Sequence, residues 1–309
     1  MNFWENKRVL VTGAGGFLGK HVVKRLAGFG ATVVMAAGDL RERETVMYNY
    51  WMASPEIVLH LAANVGGIQK NIEKPADMFT DNLRMGMNII ELGKTADCKI
   101  VVMGSACEYP KYAPIPMKES DVFNGLPEGT NAAYGAAKRA LLTMGQAYRL
   151  QYDMNIIHLL STNLYGPGDN FGYHSHFIPA VIERCIEAKN EKFDTLTLWG
   201  TGKATRDFLY VDDAVTGILL AAEHYNEAAP VNLGSGHEIS IYDAAEKINL
   251  LTGFNGELLW NNKMPDGQPR RFLATNLAKE KFGFEAKTSL DDGLRETIKW
   301  YQEKLRSAR

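Results

Sequence analysis

Short apolar runs, each closed by glycine, proline or a polar cluster, alternate through the first half of the chain with longer segments of helical period. Arg8-Val-Leu-Val-Thr12 is the first run, and Gly13-Ala-Gly-Gly-Phe-Leu-Gly19 follows it directly. A helical pattern covers Lys20 to Phe29. Ala31-Thr-Val-Val-Met-Ala36 gives a second strand, and Glu56-Ile-Val-Leu-His-Leu-Ala62 a third, ahead of an Asn64-Val-Gly-Gly67 loop. A long helix is predicted from Pro75 to Lys94, with Met78, Leu83, Met87 and Ile90 turned inward, and a strand at 100–103 comes after it. Residues 108–130, rich in proline, glycine and acids, read as a loop. Asn131 to Tyr152 reads as a helix and Asn155-Ile-Ile-His-Leu-Leu160 as another strand. Apolar strands alternating with helices predict an α/β fold built on a doubly wound parallel sheet.

Beyond Asn163 the pattern is less regular. Helices are predicted at 177–188, from about Asp212 to His224, near 241–252 and near 289–305, with a short strand Leu196-Thr-Leu-Trp199 among them. The expected division is 1–162 for the doubly wound part and 163–309 for a smaller mixed lobe over the strand ends. A return crossing to the first part is expected near 207–226.

Composition narrows the classes of function. At 46% hydrophobic and 23% charged residues, the 309-residue chain can bury a sizeable core. A formal net charge of -2 gives no reason to expect a nucleic-acid partner or an acidic membrane. Three cysteines, Cys98, Cys107 and Cys185, form no CxxC pair, so neither a disulfide framework nor a metal site is expected. The amino terminus lacks a signal-peptide layout, and no apolar run approaches the ~20 residues of a membrane span. A cytoplasmic location is the expectation.

Three patterns carry chemistry. Gly13-x-x-Gly16-x-x-Gly19 sits between a strand and a helix, where backbone N–H groups and a helix N-terminus suit a dinucleotide pyrophosphate. After the second strand, Asp39 could hold a ribose hydroxyl, or Arg41 and Arg43 could pair with a 2′-phosphate; for the arginines the alternative is a solvated helix start. Tyr134 and Lys138 stand four apart on one helical face, where an ammonium would lower the pKa of a phenol and fit it for proton transfer to a carbonyl oxygen. Ser105, at the end of the central strand, could donate a second hydrogen bond there. If the backbone stays extended through Ala106, Ser105 and Cys107 point the same way.

These residues resemble the extended short-chain dehydrogenase/reductases, through Thr12-Gly-Ala-Gly-Gly-Phe-Leu-Gly19, Leu59-His-Leu-Ala-Ala63 and Tyr134-x-x-x-Lys138. Within that superfamily the chain is most similar to the GDP-L-fucose synthases. The similarity runs through Asn64-Val-Gly-Gly-Ile68, Gly104-Ser-Ala-Cys-Glu-Tyr-Pro110, Thr162-Asn-Leu-Tyr-Gly-Pro167, Asp169-Asn-Phe171, Ser175-His-Phe-Ile-Pro179, Phe208-Leu-Tyr-Val-Asp-Asp213 and Pro265-Asp-Gly-Gln-Pro-Arg270. The resemblance implies a Rossmann sheet and an enzyme that inverts C3 and C5 of a GDP-4-keto-6-deoxyhexose, then reduces its C4 ketone. NADP(H) is the favoured cofactor and NAD(H) a possible one. A C4-reductase of a related deoxy- or heptose-type sugar is one alternative, and an NAD-retaining epimerase or dehydratase another.

Carried over by position, the resemblance implies contacts to the dinucleotide from Gly13, Gly16, Phe17, Leu18 and Gly19, from Asp39, Leu40 and Arg41, and from Leu61, Ala62 and Ala63. Tyr134, Lys138 and Ser105 would serve reduction. Cys107 as a thiolate base and His176 as an imidazolium acid would serve inversion. Asn163, His176, Arg184, Trp199, Arg206 and Arg271 would hold the nucleotide sugar. A homodimer is implied as well, and the apolar face Ala137, Leu141, Leu142, Met144 and Tyr148 is compatible with it, as it is with plain core packing. The chain departs from the family at Ala14 and Gly15, where bacterial members often have a base. It is shorter after the second strand, and it has Ala106 and Glu108 in place of the commoner serine and isoleucine.

Overall fold

The structure, a computed structural model, describes residues 2–172 and 174–307. The amino-terminal part runs β1 (Arg8–Thr12), α1 (Phe17–Gly28), β2 (Thr32–Met35), α2 (Arg43–Ala53), β3 (Ile57–His60), α3 (Ile68–Glu73), α4 (Pro75–Gly93), β4 (Lys99–Ser105), α5 (Ala132–Tyr152) and β5 (Ile156–Ser161). Then come β6 (Asn163–Tyr165), α6 (Phe177–Asn190), β7 (Thr195–Trp199), β8 (Thr205–Arg206), β9 (Phe208–Tyr210), α7 (Val211–His224) and β10 (Val231–Leu233). The chain closes with β11 (Ile239–Ser240), α8 (Ile241–Thr252), β12 (Glu257–Asn261), β13 (Arg270–Arg271), α9 (Asn276–Phe282) and α10 (Leu290–Ser307).

Six parallel strands form the main sheet, in the order β10-β5-β4-β3-β1-β2. Alternation along each strand divides its residues between two cores. Val9, Val11, Leu59, Val101, Met103 and Leu159 pack on one face with α1 and α7. Leu10, Val58, Ile100, Val102 and Ile156 pack on the other with α2, α4 and α5. Full burial of such a side chain stabilises by roughly 1.5–3 kcal/mol, which is why both faces of the strands read as continuous apolar runs. The order reverses between β1 and β3, so a crevice opens at their carboxyl ends.

Beyond β5 the strands are short. β11-β8-β13, β12-β7 and β6-β9 form three small sheets. A separate apolar cluster gathers α6, α8 and α10 around Ile182, Cys185, Ile248 and Ile298. Among the described residues no helix is long and apolar enough to cross a membrane.

The structure corrects the sequence reading at several points. Helix α1 starts at Phe17, not Lys20, because the glycine loop turns straight into it. Helix α2 was not predicted, apart from the possible helix start at Arg41 and Arg43; Val46, Tyr50 and Ala53 face inward, but Met47, Tyr48, Trp51 and Met52 are exposed, so apolar residues lie on both faces and no single stripe stands out. The central strand runs to Ser105, and the backbone then leaves the extended form for a single 3₁₀ turn over Ala106–Glu108. Ser105 and Cys107 therefore do not alternate as strand neighbours. On α5, Ala137, Leu141 and Leu142 are fully buried within the chain, so that face is core and not free to bind a second copy.

Candidate active site

The crevice begins at the first βα turn. Gly13 has φ +68°, and a Cβ on it would stand 2.8 Å from the Ala62 nitrogen, so glycine is what lets the two strand ends close together. A Cβ on Gly19 would strike the Gly13 carbonyl. The N-cap of α1, Gly16, has no side-chain cap, and the first turn of α1 carries no acid. Its N–H groups are thus left to an anion from outside. Phe17 and Leu18 form that first turn, while Leu61, Ala62 and Ala63 line the opposite strand end. Thr12 Oγ1 accepts from Leu61 N and Ala62 N, both at 3.1 Å, so its own proton goes to His60 Nδ1 at 2.9 Å. Burial pulls His60 down to about 3, and the Lys138 charge adds to this. A neutral, Nε2-protonated His60 therefore floors the crevice. These residues fit a dinucleotide pyrophosphate.

At the edge of this crevice the candidate ribose contacts are already paired. Arg41 bonds Asp39 at 2.6 Å and Asp81 at 3.0 Å, and Arg43 bonds Glu91 at 3.0 Å. The Arg41 guanidinium holds the Asp39 carboxyl down at about 2. Leu40 is buried between them and the sheet, and its carbonyl accepts from Asn88. One guanidinium between two carboxylates leaves no spare positive charge for a 2′-phosphate.

Ser105, Cys107, Tyr134 and Lys138 come together where β4 meets α5. Cys107 N–H donates to Ser105 Oγ at 3.2 Å, and the Ser105 hydroxyl hydrogen-bonds to the Tyr134 phenol. Gly135 makes this possible: any side chain there would collide with the Cys107 carbonyl. Lys138 is buried, donates from Nζ to the Met103 carbonyl at 2.8 Å and lies 5.9 Å from the Tyr134 ring centroid. Burial brings Lys138 down to about 8, against the opposing pull of Glu108. The expected lowering of the phenol pKa is not found. Burial, with the Cys107 and Glu108 charges, pushes Tyr134 well above the usual phenol range. The phenol is therefore protonated in the free protein, and a weaker acid than the Tyr134–Lys138 spacing alone would make it.

Facing this group are two buried guanidiniums. Arg206 donates to the carbonyls of Thr205 and Gln268, both at 2.7 Å, and of Asp266 at 3.2 Å. Arg271 donates from Nε to Gln268 Oε1 at 3.1 Å, and its Nη2 meets the Asn131 amide oxygen at 2.9 Å once that amide is oriented to satisfy both neighbours. The parallel β8–β13 register sets Arg206 opposite Arg271. Among the described residues neither forms an ion pair. Burial and the Arg271 charge bring Arg206 down to about 9, with the Cys107 charge pulling the other way. Two buried cations with no direct ion pair among the described residues, the Asp266 and Glu128 charges acting on Arg206 only at longer range, make a receptor for an anion.

His176 is the N-cap of α6 and is reached by solvent. Its segment is pinned to the Asn64–Gly67 loop: Gly67 N–H donates to the His174 carbonyl at 3.1 Å, and a Cβ on Gly67 would stand 2.7 Å from the Ser175 carbonyl. The cleft walls and the Arg271 charge hold its imidazole below the usual range, so the imidazolium expected for inversion is disfavoured in the free protein. Asn163 opens β6, half-buried, opposite Phe208. Arg184, on α6, is turned to the Thr197 carbonyl, and Trp199, at the end of β7, is exposed. Among the described residues no contact joins these last two to the Cys107 group.

Residues to which the sequence reading gave no role also belong here. Gln268 Nε2 bonds the carbonyls of Pro110 and Lys111, at 3.2 Å each, which ties the Arg271 loop to the Cys107 turn. Asn131 holds Arg271, and Thr12 orients His60. Only the last has a local signal, a hydroxyl closing the first strand.

Comparison with known proteins gives the family of the chain. The model of the NAD dependent epimerase/dehydratase family matches residues 9–234. The GDP-L-fucose synthase of Sinorhizobium fredii (strain NBRC 101917 / NGR234) is 38% identical over 299 residues, 95% of each chain. Among solved structures, a GDP-6-OMe-4-keto-L-xylo-heptose reductase from C. jejuni superposes with a TM-score of 0.92 at 26% identity, over 97% of this chain and 98% of that one. A GDP-L-fucose synthetase from Naegleria fowleri bound to NADP superposes with a TM-score of 0.88 at 25% identity, over 99% and 97%.

Proposed function

The chain belongs to the NAD dependent epimerase/dehydratase family, and we propose that within it this protein is an NADPH-dependent epimerase–reductase of a GDP-4-keto-6-deoxyhexose. The observation that carries this reading is the convergence of Ser105, Cys107 and Tyr134 on a cleft whose other wall holds Arg206 and Arg271. The two arginines would take the diphosphate, with Asn163, Arg184 and Trp199 placed toward the nucleotide. NADPH, when bound, supplies the hydride for the C4 ketone.

The protein's own groups do the rest. Hydrogens beside a ketone are acidic, and inversion needs one group to remove a proton and another to return it on the opposite face. Cys107 and His176 take these roles. An anionic diphosphate beside Arg271 offsets the second of the two causes that depress His176, the Arg271 charge, and so raises its capacity to carry a proton. Tyr134 then protonates the C4 oxygen while the Ser105 hydroxyl holds it, and Lys138 keeps a positive charge beside the phenol. NADP(H) is the cofactor, supported by the NADP-bound Naegleria relative. The Asp39–Arg41–Asp81 cluster favours NAD(H) as the second reading, and the depressed His176 favours C4 reduction without inversion.

The division at 162/163 assigns the dinucleotide to the first part and mainly the nucleotide sugar to the second. A homodimer is proposed through the outer faces of α4 and α5, where Phe79, Met87 and Leu150 are exposed. Three unpaired thiols fit a reducing, cytoplasmic compartment. The test is absorbance at 340 nm with GDP-4-keto-6-deoxymannose and NADPH, then NADH, with NMR of the product. Stoichiometric oxidation of NADPH with an inverted 6-deoxysugar supports the reading. Turnover without net NAD(P)H consumption refutes it.

A further inference from the structure

Glu108 is the last residue of the turn that carries Cys107, and it is fully buried. Its carboxylate accepts the Ser105 backbone N–H at 2.8 Å and receives His158 Nε2 at 3.1 Å from each oxygen. Ser105 Oγ in turn accepts the Cys107 N–H, so the two side chains close a reciprocal capping box around residues 106–108. Arg139, from α5, grips the Glu108 carbonyl through Nε. His158 comes from β5, paired opposite Val102 of β4. Gly104 lies between them, and any Cβ there would collide with both the imidazole and the carboxylate.

This is an expensive way to hold a turn. An ionised carboxylate in the interior must be fully bonded to be tolerated, and an apolar side chain would fill the space without that demand. Because the carboxylate only accepts, His158 must present Nε2–H to it, and His158 Nδ1 has no hydrogen-bond partner among the described residues. The charge does reach the reacting groups. Glu108 raises Lys138 against the effect of burial, and it helps raise Tyr134. The other charged or titratable neighbours of this pair are His60 from β3, Cys107 from the turn and Arg139 from α5.

We propose that Glu108, clamped by His158, is a positioning residue of the reduction site, locking Ser105 and Cys107 into one rigid turn and setting a negative charge beside Tyr134 and Lys138. This rests on the reading that Tyr134 and Lys138 serve reduction. Removing the charge by Glu108→Gln makes the Lys138 ammonium and the Tyr134 phenol both lose their protons more readily. Both changes move the alkaline limb of the rate profile in the same direction, to lower pH.

The test compares pH profiles of kcat for wild type and Glu108→Gln, full chain, with GDP-4-keto-6-deoxymannose and NADPH. The alkaline limb is expected to move down by about one pH unit, with kcat at pH 8 falling about fivefold. The KM for NADPH at pH 6 stays within about twofold of wild type. A second variant, Glu108→Leu with His158→Leu, replaces both partners together and so keeps the fold while removing the charge; it shows the same displaced limb. An unmoved limb in Glu108→Gln, or a limb restored in the double variant, overturns the proposal. If wild type consumes no NADPH with this sugar, the functional reading has failed. Glu108 is then judged on NADPH binding alone, followed by nicotinamide fluorescence from pH 6 to 9, where the variant loses affinity at lower pH than wild type or the proposal falls.

Discussion

Arg206 gives the sharpest test of whether the cleft is built for an anion. Its guanidinium is buried, repelled by Arg271 and, among the described residues, bonded only to backbone carbonyls. The fall from the ordinary guanidinium range to about 9 means that the fold disfavours charge there by roughly 5 kcal/mol. The folded pKa lies below the unfolded one, so this cost is fully present below about pH 9 and fades as pH rises toward the ordinary guanidinium range. Arg206→Met removes the cost and also three carbonyl bonds, at about 1 kcal/mol each. The net is a ligand-free protein more stable by about 2 kcal/mol, a rise in Tm of roughly 4 °C by scanning calorimetry at pH 7. Affinity for GDP, by isothermal titration, falls about a hundredfold because the partner of the diphosphate is gone. A variant with a lower Tm and unchanged GDP affinity would refute the reasoning.

Tyr134→Phe is expected to lower kcat by about 10²–10⁴-fold with little change in the KM for NADPH, by 340 nm kinetics. Cys107→Ser and His176→Asn should each lose deuterium uptake from solvent into the sugar, read by mass spectrometry, while still reducing an already inverted 4-keto sugar. His176 is held low by the cleft walls and then by the Arg271 charge; a diphosphate that neutralises the second cause should make GDP binding near pH 6 take up a proton. Binding enthalpies in phosphate and Tris buffers would then differ, and equal enthalpies would contradict the linkage. Asp39→Asn frees Arg41 from one of its two carboxylates and should tighten NADPH relative to NADH; an unchanged ratio would remove this cluster from cofactor choice.

Much of the main sheet was legible because its strands are buried on both faces, so Val9–Val11 and Ile100–Met103 read as apolar runs whatever packs on them. Helix α2 was harder to see, since Met47, Tyr48, Trp51 and Met52 face solvent and break the expected stripe. Ser105-Ala-Cys-Glu108 does carry the spacing of a capping box, so the turn that interrupts the strand had a local signature. The Arg206–Arg271 pairing had none: it depends on β8 and β13 meeting across more than sixty residues of chain. The Tyr134–Lys138 spacing brought the two onto one face, yet it could not show that Nζ turns to the Met103 carbonyl and leaves the phenol high. Likewise α5 offered an apolar face without saying whether core or partner covers it.

The central claim is that one cleft both inverts and reduces the same hexose. It is tested most directly by running the full chain with NADPH and GDP-4-keto-6-deoxymannose in D₂O and locating deuterium in the product. The account predicts deuterium at C3 and C5, protium from the cofactor at C4, and one NADPH oxidised per sugar. Protium retained at C3 and C5 with NADPH consumed would contradict the inversion chemistry, and no consumption at all would contradict the whole.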